Sequence, residues 1–557
     1  MIERICLKFG SQSGSLPLEF KAEALTVFVG PNNSGKSLVL REMEQIADSA
    51  SRAQTEIISK VQPQKLSADA AEHLYRRRQA KPDNRPLPNG VIWVQKFAIT
   101  GQQLQPARQV DLDQMRREIA KNDHSSLLTL ISVYTLGLDG KTRLSLTQPQ
   151  PLGDLTKQPA NYLTALFKDE SALGRLRSMT YDAFKLYFVT DPTDVGRVRV
   201  RLSPREPIDS EEEKALSDRA IQFHSRAAQI SEFSDGVNAY TGLIAAVLSS
   251  DYRVVLIDEP EAFLHPPLIR KLGRNLAELA KEREGNVFAS THSSDFLMGV
   301  VQSGVSVNIV RLTYKEKVPT ARLLAGDEVQ KLMRDPLLRS TGVLNALFHE
   351  GAVVCEGDTD RAFYQEINER LLFEKSGGAD GCLFLNAHGK EPIRRIVEPL
   401  RKMGIPAAAI VDIDIIKGDD AKDLQKAAFV PEGILGSLGV LRGNVCRYFT
   451  MHSREMKSKG IELLSNNEKA AAQSLIDQLA EYGIFVVPNG EVESWLRYMG
   501  IADGASSKRD WLPRIFERMG VDHSDSNYVK PDQGDVWDFL RKVGRWIAHP
   551  NRKGMPS

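Results

Sequence analysis

Eight consecutive residues constrain this chain more than any others: Gly30, Pro31, Asn32, Asn33, Ser34, Gly35, Lys36 and Ser37. They follow an apolar run, Leu25 to Val29, and precede a segment of helical spacing, Leu38 to Ala50. A strand that turns through glycines into a helix aims backbone amides and the positive end of a helix dipole at one point. Such a cradle holds phosphate. Gly30, Asn32, Asn33, Ser34 and Gly35 shape the loop, Lys36 neutralises phosphate charge, and Ser37 can ligate magnesium. ATP with Mg2+ is the expected occupant.

A second segment completes this site. Val254 to Ile257 reads as a buried parallel strand, and it delivers Asp258, suited to hold magnesium, and Glu259, suited to polarise water. Further on, the apolar Val287 to Ala289 leads to Ser290, Thr291 and His292. A lone histidine is more often structural, but the spacing of His292 after the acidic pair places it at a strand end where it can sense the γ-phosphate. A parallel α/β arrangement is therefore expected by about residue 260.

The stretches between are less distinctive. Ser51 to Lys81 reads as a polar helix closing on Arg76, Arg77, Arg78 and Lys81, a solvated basic face. Tyr134 to Leu146 carries Asp139 and Gly140 between alternating runs, which predicts a hairpin. A strand pair brackets Asp194 to Gly196, Glu206 to His224 is charged and helical, and Tyr314 to Ser340 reads as a connector. Another apolar strand, Ala352 to Cys355, opens a new βα series, so a domain boundary is expected near residues 330 to 348.

That second series carries acids. Glu356 stands at a strand end with Asp360 a helical turn away, and Asp412 and Asp414 alternate in period two after Ala407 to Val411, so they emerge on one side. Four acids so placed repel one another unless a cation neutralises them, and an all-oxygen set suits magnesium or manganese.

Glu259, Glu261, Leu264, His265 and Pro266, together with Ser290, Thr291 and His292, resemble the ABC-type ATPase heads of the overcoming-lysogenization-defect (OLD) family and its Rad50/SMC relatives. Ser234, Asp235 and Gly236, just before the helical Val237 to Leu248, resemble the signature segment of such heads, with a simple helix cap as the alternative. The resemblance implies a head dimer, or a higher homo-oligomer, sandwiching two ATP molecules. Gln95, after Val91 to Val94, is the candidate for its glutamine loop. The acids resemble the Toprim domain of OLD nucleases, with Asn386, His388, Gly389 and Lys390 and Gly404 to Pro406 as connecting segments. In the third acidic motif the spacing from Gly490 favours Glu493 over Glu491, although either can be a capping acid. The resemblance implies Glu356, Asp360, Asp412, Asp414 and Glu493 as metal ligands, with Glu356, Asp412 and Asp414 catalytic. Lys390 and one of Lys508, Lys530 or Lys553 would steady transition-state charge. Arg541, Lys542, Arg545, Trp546, His549, Arg552 and Lys553 form a basic tail suited to phosphate contacts and stacking, or a solvated helix face.

The expected fold class is α/β: an ABC-type P-loop head with inserted helices over residues 1–330, a linker at 331–347, a Toprim (Rossmann-like) domain over 348–500, and an extension over 501–557 for nucleic-acid binding. The function the resemblance implies is an ATP-regulated, metal-dependent DNA endonuclease in bacterial antiphage defence, with a partner protein encoded nearby, helicase-like or another defence component. A tRNA-cleaving ribonuclease and a non-cleaving ATP-controlled scaffold are the alternatives. The absence of zinc-ligand spacing disfavours a primase, and the lack of a tyrosine-bearing cleavage domain disfavours a topoisomerase.

Composition bounds these readings. The 73 Lys plus Arg against 72 Asp plus Glu leave a net charge of +1, so any nucleic-acid site is local. Cys6, Cys355, Cys382 and Cys446 are too scattered for a zinc knuckle or disulfide framework. No apolar stretch approaches the roughly 20 residues a bilayer needs, the most apolar being broken at Asp251 and Arg253. The N-terminus lacks a secretory pattern. A cytoplasmic protein without membrane contact is expected.

Overall fold

The computed structural model describes all residues except 13, 50–53, 81–86, 97–107, 141, 158, 160, 250–251, 326–328, 331–333, 337, 339–341, 419, 450–454, 502–506 and 557. Lys81, Asp251 and parts of the expected helix end, hairpin, connector and linker thus lie outside the described residues. The chain divides into two compact units, Met1–Lys331 and Leu332–Ser557.

Six strands form the main sheet of the first unit, in the order Val318–Ala325, Val307–Lys315, Leu25–Val29, Asn286–Ser290, Val254–Asp258, Thr135–Leu138. All neighbours are parallel except the edge hairpin of Val307–Lys315 with Val318–Ala325. Parallel strands are covered on both faces, and Leu25–Val29 and Asn286–Ser290 are buried at every position. Because these strands run in one direction, the segments that follow them emerge along a single carboxyl edge, where open α/β sheets bind ligands.

Three expectations change here. Within Ser51 to Lys81 the polar run is not one helix: Ile58–Pro63 pairs antiparallel with Ile2–Leu7, and only Ala68–Arg77 is helical. Ile58, Val61 and Pro63 turn into the core, a sparse apolar set that the surrounding polar residues mask. Arg78 is not solvated but buried, its guanidinium 4.5 Å from the ring centre of Tyr134. The predicted hairpin at Asp139 does not form. Asp139 accepts the amide of Thr142 at 2.8 Å, which turns the chain into the short helix Thr142–Ser145, and Thr135–Leu138 pairs in parallel with Val254–Ile257 instead. Side-chain capture of a backbone amide outcompetes the hairpin. The connector from Tyr314 is, up to Ala325, the second half of a hairpin, with Glu316 and Lys317 both at positive φ, 49° and 67°. A two-residue turn of this hand matches strand twist, but it lacks the Asn-Gly signal that would reveal it. The strand pair around Asp194 to Gly196 is present as Tyr187–Asp191 with Arg197–Ser203.

The second unit holds a four-stranded parallel sheet in the order Cys382–Asn386, Gly351–Cys355, Ala407–Val411, Ile484–Val486. Its core includes Trp511 and Ile515 from Lys508–Met519 and Trp537, Leu540 and Trp546 from Asp535–Ala548. The helices Lys508–Met519 and Asp535–Ala548, which the sequence sets apart in an extension over 501–557, therefore pack as part of this unit. Trp546 is no stacking platform: it is 8% exposed, donates its indole to Glu481 O at 3.0 Å and lies under Arg401. Arg541 likewise spends its donors on Ser376, Asp532 and Asp538. Ile515→Ala is expected to destabilise this unit by about 3 kcal/mol, read as a lower denaturant midpoint. An unmoved midpoint would show that these helices fold apart from the sheet. No helix among the described residues is long and apolar enough to cross a membrane.

Candidate functional site

In the first unit, the carboxyl edge of the sheet gathers the residues of both nucleotide motifs. Gly30 has φ 146°, and a Cβ there would lie 2.0 Å from Leu312 O, so the loop can leave its strand only through glycine. Lys36 is 4% exposed, with its ammonium 2.9 Å from Gly30 O and 2.7 Å from Pro31 O. Burial brings its pKa down to about 8, against the pull of Glu259 and Asp258. Ser37 donates to Asp258 Oδ1 at 2.8 Å, and Ser290 donates to the same oxygen. The register that pairs Asp258 with Ser290 explains that second contact. His292 Nε2 stands 3.5 Å from Glu259 Oε1; burial, then the charge of Lys36, holds its pKa below the ordinary value. Glu259 itself has φ 51°, a left-handed conformation costly for a residue with a Cβ. Glu261, outside the expected site set, accepts the amide of His292 at 2.7 Å and so ties the acidic segment to the histidine segment.

Ser234 occupies the N-cap position of Asp235–Leu248 but makes no capping bond with its side chain, and it is exposed. The cap therefore does not account for this hydroxyl. Gly236 has a reason within its own chain, since a Cβ would lie 2.6 Å from Phe263 O. Gln95 follows Val91–Val94, a strand of a separate three-stranded sheet and not of the sheet that carries the phosphate loop.

In the second unit the acids converge at the carboxyl edge of the four-stranded sheet. Glu356, Asp360 and Asp412 are 9%, 5% and 5% exposed. Asp412 N donates to Glu356 Oε1 at 2.8 Å. Burial pushes the Glu356 carboxyl up, and burial followed by the charge of Glu356 pushes Asp412 up. Asp414 is held below the ordinary range: burial opposes this, but Lys390, which bonds it directly, prevails. Among the described residues no three acids already stand in metal-holding geometry, and ammonium groups pair with them instead. Lys508 Nζ is 3.0 Å from Asp412, 3.5 Å from Glu491 and 3.6 Å from Asp360. Burial works against its charge, but Asp412 and Asp360 outweigh burial and raise its pKa.

Of the three C-terminal lysines, Lys508 reaches the acids, whereas Lys530 faces Glu374 and Lys553 faces Glu481. Glu491 and Glu493 both feel this cluster. Glu491 makes no capping bond and pairs with Lys457 at 2.6 Å; Glu493 Oε2 is buried with no hydrogen-bond partner among the described residues, an orphaned acceptor that fits a cation. Lys457, 3.3 Å from Asp414, was not foreseeable: it belongs to no motif, and only the packing of the short helix Met456–Lys459 brings it in.

Comparison with known proteins agrees with this division. Residues 175–299 match a family model described as an AAA domain and named for the AbiEii toxin of a Type IV TA system. Residues 347–414 match the model "Overcoming lysogenization defect protein-like, TOPRIM domain". The Old nuclease of Escherichia phage P2 is 24% identical over 316 residues, covering 53% of this chain and 50% of that protein. The OLD nuclease of Thermus scotoductus is 27% identical over 174 residues, 30% of this chain and 32% of that protein. Endonuclease GajA of Bacillus cereus is 26% identical over 200 residues, 31% of this chain and 28% of that protein. The chain thus matches half or less of the length of each relative. It carries an AAA-type ATPase domain and an overcoming-lysogenization-defect-like TOPRIM domain.

Proposed function

We propose that the chain is an ATP-regulated, divalent-metal-dependent endonuclease that cleaves DNA phosphodiesters. The observation that carries this reading is the convergence of Glu356, Asp360, Asp412 and Asp414 on one sheet edge, with the partnerless buried oxygen of Glu493 beside them. Once the lysine ammonium groups gave way, these five acids would hold a divalent cation, Mg2+ or Mn2+. A cation bound there supplies charge to an attacked phosphodiester and eases deprotonation of water. The chain's own groups do the rest: Lys508 and Lys390 face the charge that develops on the phosphate, and Asp412 N fixes the Glu356 carboxylate. Relatives named as nucleases support this reading, and a role in antiphage defence rests on the same resemblance.

In the ATPase domain, Lys36 and the loop amides bind the phosphates, Ser37 and Asp258 hold the nucleotide's Mg2+, Glu259 polarises water, and His292 stands beside it to face the γ-phosphate. The exposed, uncapped Ser234 supports a signature segment that completes the nucleotide site of a second copy. Mixing a Lys36→Ala chain with a Ser234→Arg chain is then expected to restore ATP turnover toward that of one intact site per mixed dimer. Ser234 is the better probe because a side chain at Gly236 collides with Phe263 O of its own chain. No recovery in verified mixed dimers refutes sharing between copies.

The function itself is tested by incubating the protein with supercoiled plasmid and with total tRNA, each with and without Mg2+, Mn2+ and ATP. Metal-dependent nicking of the plasmid is expected. Cleavage confined to tRNA moves the reading to a ribonuclease, and cleavage of neither moves it to the scaffold.

A further inference from the structure

Arg143 lies outside every motif, and it is 0% exposed. It sits in the short helix Thr142–Ser145, just past the strand Thr135–Leu138. That strand is in register with the acidic strand, Leu138 opposite Ile257, so both segments leave the sheet along the same edge. The guanidinium Nη2 donates to the backbone carbonyl of Asp258. This carbonyl belongs to the peptide that joins Asp258 to Glu259, the residue held at φ 51°. A donor anchored on that peptide opposes its rotation back to an ordinary conformation.

The charges around Arg143 point the same way. Burial holds its pKa below the ordinary arginine value, and Glu261, Asp258, Glu259 and Asp139 in turn offset part of that by favouring its positive form. Its Nε and Nη1 are buried and have no hydrogen-bond partner among the described residues, and neither does Glu261 Oε2. Buried donors and a buried acceptor left unpaired are each costly, and here they belong to groups of opposite charge that attract one another. The other Glu261 oxygen already holds the amide of His292. Arg143 and Glu261 therefore bracket the water-polarising acid, one at its preceding carbonyl and one at the histidine segment. Lysine would not serve equally, since only the planar fork offers one donor to the carbonyl and others to a carboxylate.

We propose that Arg143 is a positioning residue for ATP hydrolysis, fixing the Asp258–Glu259 peptide so that the Glu259 carboxylate stays beside His292. This inference rests on the ATPase reading. It is tested on the full chain with Arg143→Ala and Arg143→Lys, measuring kcat for ATP and the affinity for a non-hydrolysable ATP analogue. Misplacing the acid lowers kcat in Arg143→Ala by roughly ten- to a hundredfold. Arg143→Lys, which keeps charge and a donor, recovers part of the loss, and the analogue affinity of both stays within about threefold of the parent. A purely structural plug would instead weaken nucleotide binding in step with turnover, and that outcome overturns the proposal. Parental kcat in a folded variant also overturns it, and if Arg143→Ala does not fold, Arg143→Lys decides alone. An unmodified chain that turns over no ATP refutes the ATPase reading and this inference with it; a chain that does, with Arg143→Lys indistinguishable from it, refutes this inference only.

Discussion

Asp412→Ala is expected to abolish cleavage of nucleic acid and leave ATP hydrolysis unchanged. Asp412 belongs to the unit Leu332–Ser557, whereas the phosphate loop belongs to Met1–Lys331, so the two chemistries draw on different acids. Removing one carboxylate from a set of five takes away both charge and a ligand, and loss of metal-assisted stabilisation costs about a thousandfold or more in rate. The fold should tolerate the change. Lys508 loses its nearest partner but keeps Asp360 and Glu491 within 3.6 Å, and the carboxyl that disappears is one that burial disfavours in its charged form. Parallel measurement of plasmid nicking, phosphate release and thermal unfolding decides the matter. Unchanged nicking by a folded variant removes Asp412 from the chemistry and places the cleaving centre elsewhere.

The second large effect is expected from Glu259→Gln. The side chain is half exposed and His292 Nε2 lies 3.5 Å from it, so an isosteric amide disturbs no packing. It does remove the carboxylate that polarises water, a contribution worth roughly a hundred- to ten-thousandfold. ATP should remain bound and accumulate unhydrolysed. Lys36→Ala gives the contrasting result, weaker binding, because the ammonium that meets the phosphates is gone. Filter-binding of labelled ATP beside a phosphate-release assay separates the two. Hydrolysis at the parental rate by Glu259→Gln would remove that residue from its assigned role.

Both centres were largely legible in the sequence because each rests on a buried parallel strand that ends in a polar cluster. Such strands read as unbroken apolar runs, and the residue after the run has only one edge to occupy; Leu25–Val29, Val254–Asp258, Gly351–Cys355 and Ala407–Val411 are all of this kind. What escaped was decided by partners far away in sequence. Ile58–Pro63 becomes a strand because Ile2–Leu7 pairs with it. The pair Asp139-Gly140 has a hairpin's composition, but the hydrogen bond from Asp139 to the amide of Thr142 settles the backbone otherwise. Lys457 and Lys508 reach the acids from helices over forty residues beyond Asp414, a distance over which local spacing carries no information. The tail cations Arg541 and Lys542 lie at helical spacing either for a solvated face or for a nucleic-acid contact, and their pairing with Asp538 and Asp477 could not be read from that spacing.

The three ammonium groups of Lys390, Lys457 and Lys508 stand among the acids of the second unit and serve as built-in counter-ions. Small metal-dependent domains often collapse when stripped, because ligand repulsion is relieved by the ion alone and binding energy is spent on folding. Here the chain supplies that relief itself. The domain can therefore wait fully folded at a low supply of divalent cation, and a chelator should silence it without lowering its melting temperature. On the metal-dependent reading, an entering cation would replace these ammonium partners instead of building the architecture, so cation supply would govern activity and not folding.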